Sequence, residues 1–269
     1  MNWKSHGEES NRVLICLHGF MGDASDWDAF AQSFINLIPG WQVVAATLPG
    51  HDDGDSVFNE NEISDGIFDW MDSRAISSAA IAGYSLGGRL GLRLALDHKA
   101  RFPLFIGIST TAGISDPEER KCRRISDEIL SERMRSIGNR ESFTAFLDEW
   151  WQLPLFASPG KRDIHRERFL QSRLKKSPVL LAYALQQWSS GVLPSEWDRL
   201  GEYPGRVLLL SGQEDQKFTN LSERMQAAFC DAHSHRLIGA GHQLLLECPD
   251  EIAAIVAGFL NEKQSKASQ

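Results

Sequence analysis

The chain has 269 residues, 42% of them hydrophobic and 24% charged, with a formal net charge of −8. That length suits one α/β domain with an insertion and a sizeable core, and the acidic balance gives a nucleic-acid partner no global electrostatic support. No apolar run reaches the ~20 residues of a membrane-spanning helix, and the polar first twelve residues lack a signal peptide's apolar centre, so a cytoplasmic protein without membrane insertion is expected.

In chain order, Arg12-Val13-Leu14-Ile15-Cys16-Leu17 is a continuous apolar run, expected as a strand buried on both faces. The loop His18-Gly19-Phe20-Met21-Gly22 follows, and its glycines suit close backbone approach to a ligand. Residues 25–37 read as an amphipathic helix with Trp27, Phe30, Phe34 and Leu37 on one side. Residues 41–48 form a second buried strand ending in Pro49-Gly50-His51, and 63–71 a helix. Ser78-Ala79-Ala80-Ile81-Ala82 is a short buried strand, and the helix after it, 86–98, has Leu86, Leu90, Leu94 and Ala95 at core spacing. Residues 104–109 are the next strand. Strands alternating with helices predict a mostly parallel sheet flanked by helices.

The alternation stops near Gly113 and resumes near Leu200. Residues 113–200 are expected to be a helical lid inserted into a core of residues 1–112 and 201–269. The lid's start, Ser115-Asp116-Pro117-Glu118-Glu119, has a capping residue, then proline, then first-turn acids. Residues 206–212 return to the sheet, 221–229 form a helix that starts near Thr219, and 235–238 a short strand. Gly239-Ala240-Gly241-His242 is the loop after that strand. A final helix has Pro249 near its start and Ile252, Ile255, Val256, Phe259 and Leu260 at core spacing, before a frayed polar tail over 263–269. Cys16, Cys122, Cys230 and Cys248 form no Cys-x-x-Cys pair, and no His/Cys cluster has zinc spacing, so neither disulfide nor metal is expected.

The chemistry centres on Gly83-Tyr84-Ser85-Leu86-Gly87, a Gly-x-Ser-x-Gly pattern between a strand and a helix. Such a turn strains the serine backbone, and glycine at both flanks avoids clashes. A serine hydroxyl needs an imidazole to take its proton, and the imidazole needs an acid to orient it. Asp215 and His242, each just after an expected strand, supply these in the order Ser, Asp, His. Glu214 is the rival for the acid role, and Asp215 has a competing role as a helix cap. The N–H groups of Phe20 and Leu86 are the expected oxyanion hole, with His18 ordering its loop. His51, His98, His165, His233 and His235 read as surface or packing residues. Arg89, one helical turn after the serine, should face the pocket, the alternative being a solvated helix face.

Leu17-His18-Gly19-Phe20-Met21-Gly22, Leu48-Pro49-Gly50-His51, Gly83-Tyr84-Ser85-Leu86-Gly87-Gly88-Arg89 and Gly241-His242 resemble the α/β-hydrolase superfamily. A narrower resemblance comes from Pro117-Glu118-Glu119-Arg120, Arg123, Ser126-Asp127 and Glu149-Trp150-Trp151-Gln152-Leu153-Pro154-Leu155-Phe156. These are similar to the MenH-type 2-succinyl-6-hydroxy-2,4-cyclohexadiene-1-carboxylate synthases of menaquinone biosynthesis. The resemblance implies an α/β-hydrolase fold and a lyase that eliminates pyruvate from a cyclohexene carrying succinyl, carboxylate and enolpyruvyl groups. It implies Ser85 as the proton-abstracting base of a Ser85–Asp215–His242 triad and no cofactor. It also implies Tyr84, Arg89, Arg123, Trp150 and Arg173 as contacts for a small polycarboxylate substrate. Trp150 can equally be lid core. A carboxylesterase or thioesterase with Ser85 as acyl nucleophile is the alternative on the same fold, and a ligand receptor that kept the pocket is a third reading. Either a monomer or a homo-oligomer is compatible with the sequence.

Overall fold

In the computed structural model, residues 1–52, 61–156 and 162–266 are described, side chains at 162–164 and 262–266 excepted. The described strands are β1 (Asn2–His6), β2 (Val13–Leu17), β3 (Gln42–Thr47), β4 (Ala80–Tyr84), β5 (Leu104–Ile108), β6 (Arg206–Gly212) and β7 (Ala232–Leu237). They form one sheet in the order β1-β3-β2-β4-β5-β6-β7. β2 to β7 are parallel, and β1 is antiparallel to β3 with Asn2 opposite Thr47.

The helices are α1 (Asp28–Leu37), α2 (Glu62–Asp72), α3 (Leu86–Asp97), α4 (Pro117–Arg135), α5 (Arg140–Trp151), α6 (Arg162–Arg173), α7 (Pro178–Trp188), α8 (Gln216–Ala228), α9 (Leu244–Glu247) and α10 (Pro249–Lys266). Alternate side chains of the central strands feed two cores. Val13, Ile15 and Leu17 pack with residues of α2, α3 and α8, such as Ile67, Leu90 and Met225. Leu14 and Cys16 pack with α1 and α10 through Phe30, Phe34, Ile252 and Val256. Burying both faces explains the unbroken apolar run in β2, since each fully buried aliphatic side chain contributes about 1.5–3 kcal/mol.

The segment between β5 and β6 holds α4 to α7, with a core of its own. Met134, Phe143, Phe146, Leu147, Trp151 and Leu181 are buried together there, and Met21 from the loop after β2 joins them. α4 begins as its sequence predicts. The Asp116 side chain accepts from Glu119 N–H at 2.7 Å, and Pro117 sits in the first turn.

Several expectations need correction. β1 is missing from the sequence reading, because an edge strand shows only its backbone to the sheet and needs no apolar run. Trp3 anchors it by packing on Trp70, with ring centres 5.4 Å apart. The helix expected over 25–37 is a 3-10 turn, Ala24–Trp27, followed by α1. Trp27, Phe30 and Phe34 are buried, but Leu37, the last residue of α1, is 52% exposed. α8 starts at Gln216, well before Thr219, because Asp215 caps it. α9 is a further turn, and α10 stays helical to Lys266 through part of the expected tail. Residues 157–161 of the expected lid and 267–269 of the expected tail lie outside the described residues.

After β2 the chain builds outward to β3, then crosses back to place β4 on the other side of β2. The carboxyl ends of β2 and β4 therefore flank a topological switch point, where open α/β sheets form their binding crevice. Phe20 follows β2 there, and Ser85 follows β4.

Candidate active site

The turn from β4 into α3 holds Ser85 at φ +52°, in the left-handed region, with ψ −108°. Only a residue held from several sides stays in such a conformation. Ser85 N–H donates to Ile108 O at 2.9 Å, and its carbonyl accepts from Thr110 Oγ1 at 2.9 Å and Arg89 N–H at 3.2 Å. The turn closes only with glycine at its flanks. A Cβ on Gly83 would lie 2.2 Å from Gly87 O, and one on Gly87 2.2 Å from Leu17 O.

Ser85 Oγ lies 3.3 Å from His242 Nε2. His242 Nδ1–H donates to Asp215 Oδ2 at 2.6 Å. Asp215 fills both roles that the sequence set in competition, because its other oxygen, Oδ1, accepts from Phe218 N–H at 3.3 Å and caps α8. Glu214 is exposed and offers its N–H to Ala240 O, so its carboxylate is outside this chain of contacts. The rings of Phe218, Tyr84 and Phe156 surround the imidazole at 4.6, 5.6 and 6.0 Å between centres. A hydroxyl–imidazole–carboxylate relay of this kind can strip a proton from carbon or attack an acyl group.

His18 is fully buried and orders its loop. Its Nδ1–H donates to Gly19 O at 2.7 Å, and its Nε2 accepts from Leu48 N–H at 2.9 Å. Burial lowers its pKa to about 3, so the ring is neutral. His51 is buried against it, edge-on at 4.8 Å, as a packing residue rather than a surface one. The glycines of this loop are required by the packing of the protein itself. A Cβ on Gly19 would meet the Tyr84 ring at 2.7 Å, and one on Gly22 would meet Asp26 Oδ2 at 2.3 Å.

A cavity of about 540 Å³ opens above Ser85 and His242, walled by Phe20 and Leu86 from the sheet side and by Trp150 and Phe156 from the α4–α7 segment. Tyr84, Arg89, Arg123 and Arg173 line it as well. Trp150 is both cavity wall and packing residue, 5.8 Å from Phe20 and 6.2 Å from Phe146 between ring centres. The three arginines differ in how their charge is met. Arg89 donates to the Trp188 carbonyl at 3.2 Å, and among the described residues no carboxylate stands at ion-pair distance from it. Burial, then the neighbouring Arg123 charge, lower its pKa to about 10 against a smaller opposing effect of the more distant Asp127 carboxylate, which leaves it cationic at neutral pH. Arg123 bonds Asp127 at 2.7 Å and is partly exposed; the Ser189 hydroxyl holds the same carboxylate. Arg173 is paired with Asp26 through both of its terminal nitrogens. Burial opposes its charge, but Asp26, with smaller contributions from Asp23 and Tyr84, offsets this and holds the pKa above the ordinary value.

Residues 14–255 match the sequence profile of the alpha/beta hydrolase family. The chain belongs to that family. It is 30% identical to the 2-succinyl-6-hydroxy-2,4-cyclohexadiene-1-carboxylate synthase of Escherichia coli O157:H7, over 95% of this chain and 96% of that one. The Serratia proteamaculans enzyme of the same name is 29% identical over 94% of this chain and 95% of its own. Among solved structures, MenH from S. aureus superposes with a TM-score of 0.87 at 28% identity, covering 97% of this chain and 98% of that chain. This places the alpha/beta hydrolase family member within its 2-succinyl-6-hydroxy-2,4-cyclohexadiene-1-carboxylate synthase branch. The mostly parallel sheet, seven-stranded among the described residues, with its flanking helices is the alpha/beta hydrolase fold.

Two carboxylates of this alpha/beta hydrolase escaped the sequence reading. Asp26, inside a stretch read as an amphipathic helix, reaches the cavity and pairs with Arg173. Glu247 sits at the end of α9 and binds the loop that holds His242. No local pattern marks either, because their partners are remote in sequence or are backbone groups. Among the described helices, none is long and apolar enough to cross a membrane.

Proposed function

We propose that this protein is a lyase of menaquinone biosynthesis that eliminates pyruvate from 2-succinyl-5-enolpyruvyl-6-hydroxy-3-cyclohexene-1-carboxylate. The product is 2-succinyl-6-hydroxy-2,4-cyclohexadiene-1-carboxylate. Ser85 passes its proton to His242 Nε2 and takes the ring proton on Oγ. The electron pair left on carbon forms the new ring double bond. The C–O bond to the enolpyruvyl group breaks with its electron pair going to that oxygen, and the proton held on His242 is returned to the departing enolate, which becomes pyruvate and leaves the triad as it began. Asp215 keeps Nδ1 protonated and steadies the imidazolium. The N–H groups of Phe20 and Leu86 meet the oxyanion that develops on the substrate.

The observation that carries this reading is Arg89: a half-buried guanidinium in the serine's own cavity, with no carboxylate at ion-pair distance among the described residues. A neutral-ester hydrolase gains nothing from such a group and bears its desolvation cost. A polycarboxylate substrate supplies the missing counter-charge, and Arg123, Arg173, Tyr84 and Trp150 are the further contacts. The likeness to the named synthases supports the same reaction. The test is pyruvate release from the synthetic cyclohexene, coupled to lactate dehydrogenase and run beside Ser85→Ala. Release by the wild type that the variant loses is the expected result; none above background from the wild type rejects the proposal.

A further inference from the structure

His242 is flanked by two backbone N–H groups that end on one side chain. Gly241 N–H donates to Glu247 Oε2 at 2.8 Å, and Gln243 N–H to Glu247 Oε1 at 3.2 Å. One carboxylate thus ties down the residues on both sides of the histidine. The strand side of the loop is held separately, by Glu214 N–H to Ala240 O at 2.9 Å and Gly239 N–H to Gln213 Oε1 at 3.2 Å.

Glu247 belongs to a four-residue helix, which has little stability of its own. Leu244 and Leu245 are buried beneath it, and the carboxylate caps its N-terminus. Leu246, on the same turn, packs against the core of the α4–α7 segment. The carboxylate's charge also reaches the cavity. After burial, Asp26, Asp215 and Glu247 together push the Tyr84 hydroxyl well above the usual phenol range, against an opposing effect of Arg173.

We propose that Glu247 is a positioning residue for His242, fixing the imidazole between Ser85 and Asp215 and tying its placement to the packing of the overlying helices. The proposal rests on the Ser85–His242 part of the function reading and is independent of which substrate the cavity takes. A Ser Oγ and His Nε2 already 3.3 Å apart leave little room for a loosened loop, since displacements of about 1 Å cost up to ~100-fold in rate.

The test is labelling of the full-length protein by a fluorophosphonate. In that step the Ser85 Oγ–P bond forms, the P–F bond breaks, fluoride leaves and the serine proton passes to His242. Glu247→Ala should lower the second-order labelling rate about tenfold. Glu247→Gln keeps one acceptor and should fall between it and the wild type. The downfield proton resonance of His242 Nδ1–H should broaden in the same order, and this readout with Glu247→Gln carries the test if the alanine variant does not fold. Unchanged labelling and an unchanged resonance in folded variants overturn the role of Glu247 alone. Wild-type labelling no faster than that of Ser85→Ala overturns the reactive triad along with it.

Discussion

The guanidinium of Arg173 and the carboxylate of Asp26 meet end to end, Nη1 with Oδ1 and Nη2 with Oδ2, both at 2.7 Å, although 147 positions separate them in the chain. Both side chains are about 15% exposed, so each has lost most of its water and depends on the other. Removing one partner of such a pair strands a buried charge. Asp26→Ala should cost about 3 kcal/mol in chemical denaturation, and adding Arg173→Met should recover part of the loss. Additive losses in that double-mutant cycle would show that the pair is not coupled.

The same pair sets a ranking among the arginines. Arg89 has no carboxylate partner among the described residues, Arg123 shares its charge with Asp127, and Arg173 is matched by Asp26. Arg89→Met should therefore lower kcat/KM for the tricarboxylate cyclohexene most, by about 100-fold, and Arg173→Met least. Turnover of a neutral aryl ester should survive all three. Parallel loss of both activities in Arg89→Met would remove the case for an anion pocket.

Strain at Ser85 separates stability from reactivity. Ser85→Gly relieves a φ of +52° that Ser85→Ala retains. The glycine variant should melt about 2–4 °C above the alanine variant, for about 1 kcal/mol, and both should be inactive. Equal melting temperatures would mean that the turn stores no strain.

Asp215 offers one oxygen to His242 and the other to the cap of α8. Asp215→Asn keeps an acceptor for Phe218 N–H, so unfolding should change by under about 1 kcal/mol, while turnover falls about 10⁴-fold because the imidazole loses its tautomer control. Loss of fold in this variant would make the residue chiefly structural.

Acid should destabilise the protein through His18 and His51. Both have pKa values lowered by burial, His18 to about 3 and His51 well below 6.5, and protonation of either ring opposes protonation of the other beside it. The unfolded chain therefore binds more protons between pH 6.5 and about 3. The stability these neutral rings provide is complete above pH 6.5 and is lost as pH falls through that window, by at most about 1.4 kcal/mol per pH unit for each ring. The denaturation midpoint followed across that range should show a shallower slope in His18→Asn.

Much of this protein is written in local pattern. The run 12–17 announces a doubly buried strand because both of its faces meet apolar cores, and Gly83-Tyr84-Ser85-Leu86-Gly87 announces its turn because no larger flanking residue fits. The capped start of α4 is legible for a similar reason: its contacts lie within three residues of one another. β1 was hidden because an edge strand is specified by backbone pairing with β3, to which side-chain pattern contributes little.

The charge balance of the cavity was decided only by the tertiary structure. Nothing in the sequence around Asp26 indicates that its carboxylate neutralises Arg173, or that Arg89 remains without such a partner among the described residues. The two carboxyl oxygens of Asp215 likewise divide between a local cap and a remote imidazole. Helix, strand and turn preferences act over a few neighbouring residues and can be read from them. Pairing of charges depends on distances between segments far apart in the chain, and those distances exist only once the sheet has brought the segments together.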